Sequence, residues 1–123
     1  MDIKTNTITI GDQKIFMQVF LLDNQKFFYF SDNNLKFSNL ACNLYTGEEI
    51  LSKEVIADDA ELVNSFLHNF HKFLSKKFEQ PIFASFNFSL KGNDEYIEFI
   101  QKAKEIVTTL GNWFVPPIFL YSF

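Results

Sequence analysis

Residues 80–90 read Gln80-Pro81-Ile82-Phe83-Ala84-Ser85-Phe86-Asn87-Phe88-Ser89-Leu90. Ile82, Ala84, Phe86, Phe88 and Leu90 are apolar, whereas the alternate positions are Phe83, Ser85, Asn87 and Ser89. Alternation with period two marks a strand, because successive side chains leave on opposite faces. One face reads as fully buried. The other is half polar and still carries an aromatic, which suits contact with another molecule. The stretch contains no residue set that does covalent chemistry.

Helical patterns flank this strand. Upstream, Val63, Phe66, Leu67, Phe70, Phe73 or Leu74, and Lys77 or Phe78 recur at helical spacing. Ala57-Asp58-Asp59-Ala60-Glu61 would open that helix, with Asp58 and Glu61 placed as in a capping box. Pro81 would end it. A Phe stripe of this kind can line a lipid pocket, but at helical spacing it is expected to be core. Downstream, Asn93 can cap a second helix that has Asp94 and Glu95 in its first turn. Tyr96, Ile97, Ile100, Ala103, Ile106, Val107 and Leu110 form its stripe, and Gly111 fits the C-terminal cap.

The first half reads as strands. Gly11-Asp12 separates Ile3–Ile10 from Lys14–Leu22. In the second run Ile15, Met17, Val19 and Leu21 share one side, and Phe16, Gln18, Phe20 and Leu22 the other. Turns at Asp23–Gln25 and Ser31–Asn34 bracket a short strand, Lys26–Phe30, with aromatics on both faces. Phe37–Tyr45 and Ile50–Ile56 complete an antiparallel meander. The expected fold is α+β, in a single domain over residues 1–123 with an apolar tail at 112–123. An antiparallel sheet of about six strands carries two amphipathic helices on one face. The other face is left without cover, so a dimer is expected, homo- or heteromeric. Phe28, Phe30, Phe83, Ser85 and Asn87 are the candidate interface residues.

Composition narrows the function classes. At 123 residues the chain buries enough surface, roughly 65%, to fold without disulfides or metals. Phe occurs 17 times, but Phe, Asn, Ile and Lys share AT-rich codons, so Phe positions inform more than their number. The net charge is −4 and all eleven basic residues are Lys, so no guanidinium fork serves phosphate or guanine. Nucleic acid is therefore not an expected partner. Cys42 is the only cysteine, and a lone thiol suits a reducing compartment. The N-terminus lacks the apolar run of a signal peptide, and no stretch is long and apolar enough to span a membrane. Asn87-Phe88-Ser89 fits a glycosylation sequon that is idle without secretion. The expectation is a cytoplasmic protein, with passage to the nucleus open, and no membrane partner.

Catalytic constellations are sparse. His68 and His71 stand three apart, but a metal needs further ligands, and Asp59 and Glu61 lie a turn or more back. Both histidines are expected at the solvent boundary. Cys42 reads as a small buried hydrophobe. Glu48-Glu49 and Asp58-Asp59 are sequence neighbours that do not face one another. With four glycines and no Gly-rich loop, a phosphate cradle is missing. No catalytic residue, cofactor site or metal site is assigned, and an enzyme is not expected.

Gln80, Phe83, Ser85, Phe86 and Asn87, between their two helices, resemble the Gln-apolar-Phe-x-Ser-aromatic-Asn run of the proteasome assembly chaperone 4 family. Phe20-Leu21-Leu22-Asp23 with Phe28-Tyr29-Phe30, and Asn39-Leu40-Ala41, resemble its upstream strands, so the likeness covers about residues 15–108. The resemblance implies a non-enzymatic chaperone that pairs with a proteasome assembly chaperone 3 homologue as a heterodimer. Such a pair binds α-subunits and promotes formation of the 20S α-ring. It also implies that the two partners' sheets meet, with helices outside. The tail after Gly111 is longer and more apolar than the family's, and Tyr121 is third from the end where a hydrophobic-Tyr-any terminus needs it second. The alternatives are a small acidic dimeric adaptor or secretion-chaperone-like module, and a monomeric lipid carrier with a closed cavity.

Overall fold

The computed structural model describes residues 2–32, 37, 39–56 and 65–109. The expected opening of the first helix at Ala57–Glu61, the position Val63, and Leu110, Gly111 and the tail lie outside the described residues.

Six strands and two helices follow in the order β1 (Asp2–Ile10), β2 (Gln13–Leu21), β3 (Lys26–Ser31), β4 (Leu40–Tyr45), β5 (Ile50–Ile56), α1 (Ser65–Phe78), β6 (Ile82–Asn87) and α2 (Asn93–Thr109). The fold is α+β, and the spatial strand order is β1-β2-β3-β6-β4-β5. The β1–β2 hairpin pairs Ile10 with Gln13 across a two-residue loop. Gly11 takes φ +59° there, the sign that the first loop position of a tight hairpin requires and that glycine meets without strain.

The expected meander is interrupted. β6 inserts between β3 and β4, parallel to β3 and antiparallel to β4, so the sheet is mixed and not purely antiparallel. β5 and β6 are each antiparallel to β4 and thus run in the same direction, which requires a crossover connection. α1 lies on that crossover and packs on β4 and β6. Central placement explains the burial of β6 on both sides, where Ser85 and Asn87 are as inaccessible as Ile82 and Ala84. β4 also begins later than expected. Phe37 and Asn39 precede the strand, and the Asn39 carboxamide takes its place beside β6. Its Oδ1 accepts from Phe86 N (2.8 Å) and its Nδ2 donates to Phe86 O (2.6 Å), completing the ladder by side chain.

The core lies between the sheet and the helix layer. Phe28 and Phe30 of β3 are fully buried under Phe70, Phe78 and Phe99, with the Phe30 ring centroid 5.4 Å from Phe99 and 5.2 Å from Phe86. Each such ring contributes about 1.5–3 kcal/mol. The buried stripe of α1 is Leu67, Phe70, His71, Leu74, Ser75 and Phe78, at the i, i+3, i+4 spacing of one helix face. It ends where Glu79 adopts φ 50° and donates its N–H to Ser75 O (3.0 Å), before Pro81.

In α2, Phe99, Ala103 and Val107 form the buried seam, flanked by Tyr96, Ile100 and Ile106. Ile97, expected inside, is exposed, because Phe99 is the residue aimed at the sheet. Gly92, not Asn93, holds the cap position, since its carbonyl accepts the first helical bond from Tyr96 N (3.2 Å).

Candidate functional site

The sheet face away from the helices is the candidate site. The strand register aligns its residues in rows. One row crosses the whole sheet as Ile3, Phe20, Phe27, Phe83, Cys42 and Lys53. It is apolar over five strands and ends in a charge. The next row is Thr5, Gln18, Tyr29 and Ser85, and the third is Thr7, Phe16, Ser31 and Asn87. Leu44 faces Leu51 on β4 and β5.

Phe20 and Phe27 meet edge to face at 5.6 Å, and Phe37 stacks on both Phe27 (6.3 Å) and Tyr29 (6.1 Å). Phe37 thus reaches over this face from outside the strands. Among the described residues, Ile3, Phe16, Phe37, Leu44 and Leu51 are 36–51% exposed, and Ile97 on α2 is the other large apolar residue in that state. Contiguous exposed apolar surface of this kind marks an interaction site more often than chance exposure.

Five residues were expected on this face. Phe83, Ser85 and Asn87 do point to it, as their register with Phe27, Tyr29 and Ser31 requires. Phe28 and Phe30 do not. Both are fully buried beneath the helices and can touch no second chain. The aromatics that β3 presents here are Phe27 and Tyr29. The misleading signal is Lys26, which shares a side with Phe28 and Phe30 and should mark the wet side. Instead Lys26 is buried, donates to Gln80 Oε1, and lies 5.9 Å from the Phe78 ring centroid. Burial pushes its pKa down.

Ser85 and Asn87 are themselves 0% and 3% exposed, so these polar groups lie beneath the surface of the face. Asn87 Nδ2 donates to Ser85 Oγ (2.7 Å) and to Phe30 O (3.2 Å). Cys42 is partly exposed beside Phe83, and burial raises the pKa of its thiol.

The histidines divide. His68 is partly exposed, with its pKa lowered by burial and by Lys72 against the pull of Glu54. His71, expected at the boundary, is 3% exposed beneath α1. Its Nε2 meets Ile82 O at 2.6 Å, and burial lowers its pKa to about 4 in spite of that bond. Among the described residues no group of three His, Cys, Asp or Glu side chains is arranged to hold a metal ion. No described helix is long and apolar enough to cross a membrane. A groove of about 580 Å³ runs between β1 and α2, lined by Asn6, Ile8, Lys102, Glu105 and Ile106 among others. It is an open surface groove and not a closed cavity.

No protein-family model matches the sequence, and no curated protein matches it. A solved structure does share the architecture. It is described as the crystal structure of a novel chaperone complex for yeast 20S proteasome assembly. The alignment covers 89% of this chain and 98% of that one, with a TM-score of 0.56 and 9% sequence identity. The likeness is one of fold: this chain and a chain of that complex share an α+β architecture.

Proposed function

We propose that this protein is a non-enzymatic chaperone of 20S proteasome assembly that acts as half of a heterodimer. Its partner is a proteasome assembly chaperone 3 homologue, docked on the open sheet face, and the pair engages proteasome α-subunits as the α-ring forms. The cytoplasm, with passage to the nucleus, is the compartment this role requires. The observation that carries the reading is the apolar row Ile3–Phe20–Phe27–Phe83–Cys42 on the sheet face opposite the described helices. The shared architecture with a chain from a chaperone complex supports it. The resemblance of Gln80, Phe83, Ser85, Phe86 and Asn87 to the chaperone 4 pattern is consistent with it.

Co-expression with the same organism's chaperone 3 homologue should give a stable 1:1 complex on size exclusion and native mass spectrometry. That complex should retain α-subunits that neither chain retains alone. Failure to form the pair under any condition sinks the proposal. A self-associating chain that ignores the homologue would favour the acidic homodimeric adaptor instead.

A further inference from the structure

The apolar row explains why a second chain should bind, but not how the correct one is chosen. Rings of Phe present similar surface to any apolar sheet, so discrimination has to come from polar groups that a wrong partner leaves unmatched. One such group stands in the third row of the open face. Ser31 lies between Phe16 and Asn87 in register and is 1% exposed. Among the described residues its Oγ has no hydrogen-bond partner. The Asn87 amide beside it already donates to Phe30 O and Ser85 Oγ. A hydroxyl buried in this way destabilises the free chain, where alanine would pack as well at no polar cost. Phe16, its neighbour across the strands, is 36% exposed, so the hydroxyl lies beside an accessible part of the face.

We infer that Ser31, backed by Ser85 and Asn87, is the specificity element of the open face. The partner chain inserts a hydroxyl or carboxamide side chain beside Phe16 to bond the Ser31 hydroxyl. This inference rests on the open face being the chaperone interface. Asn43 supplies an internal control. Its Nδ2 is likewise buried without a partner among the described residues, but on the side of the sheet that carries the helices, in register with Ile82.

The test uses the full chain and titrates the chaperone 3 homologue by calorimetry against wild type, Ser31→Ala, Ser31→Cys, Asn43→Leu and Phe83→Glu. Ser31→Ala should bind about tenfold more weakly, the loss of one hydrogen bond, while its thermal midpoint stays level or rises. Ser31→Cys keeps the shape with a slightly larger, weakly hydrogen-bonding thiol and should weaken binding in the same direction, which guards against a cavity-driven folding defect in the alanine variant. Asn43→Leu should bind as wild type does. Binding of Ser31→Ala within twofold of wild type overturns the inference, as does equal weakening by Ser31→Ala and Asn43→Leu. If wild type binds, Phe83→Glu does not, and Ser31→Ala is neutral, the docking face stands and only the specificity role falls. If wild type does not bind the homologue, both fall.

Discussion

The two faces of this sheet are built from the same strands and are almost equally aromatic. Phe28 and Phe30 leave β3 on one side, Phe27 and Tyr29 on the other. On the first side α1 and α2 close over the rings and exclude water. On the second, Phe37 is the described aromatic from outside the strands that stacks on them, and five large apolar side chains remain exposed. Hydrophobicity alone therefore does not distinguish the buried face from the open one. Among the described residues, what separates them is the cover that α1 and α2 give the first. The covered face also holds polar groups (His71, Ser75, Asn43 and Lys26), while on the strand positions of the open face charge is confined to Lys14 and Lys53 near its margins. A partner matched to this face is apolar at its centre.

The comparison can be broken at three points. The largest effect is expected from Phe30→Ala, which opens a cavity among Phe28, Phe70, Phe86 and Phe99. Stability should fall by about 3–5 kcal/mol in denaturant titration, and partner binding should fail only because the fold does.

Next is acid. His71 is neutral when folded, with a pKa near 4 against 6.5 for an unperturbed histidine. Below about pH 6.5 the unfolded chain takes up a proton that the native chain refuses. Stability therefore falls as pH drops from 6.5 toward 4 and levels off below, by about 3 kcal/mol from this group. Unfolding free energies of wild type and His71→Gln, compared at pH 7 and pH 4, should differ in slope by that amount. Parallel slopes would mean that His71 is not held neutral under α1.

The third effect reverses the first. Phe83→Glu puts a charge at the centre of the open row, between Phe27 and Cys42. Circular dichroism should show a fold intact to within about 1 kcal/mol, whereas partner affinity should drop by about 2 kcal/mol or more, as for a central hot spot. Unfolding without a separable binding defect would place Phe83 in the core instead.

Much of this was legible in the residues. The Ile15, Met17, Val19 alternation marked β2 as a strand, but Phe16 and Phe20 made its other side read as covered too, and only the first side is fully buried. Leu67, Phe70, Leu74 and Phe78 announced a helix by period. The phase of β3 was not legible. With aromatics at four successive positions, Lys26 was the natural guide to the wet side, and it is buried by Gln80 and Phe78, residues more than fifty positions away. His71 was misread for a related reason. A histidine in a helical stripe is placed at the boundary by polarity, but the Ile82 carbonyl on β6 provides a bond that permits burial.

By itself the sequence determined the elements and the α+β class. Those follow from local periodicity and composition, which act over a few residues. Only the tertiary structure decided that β6 inserts between β3 and β4, that the sheet is mixed, and that Phe27, Tyr29 and Phe83 align in adjacent rows while Phe28 and Phe30 are sealed inside. Strand order and register depend on pairing between segments remote in sequence, and a shift of one residue would exchange the two faces.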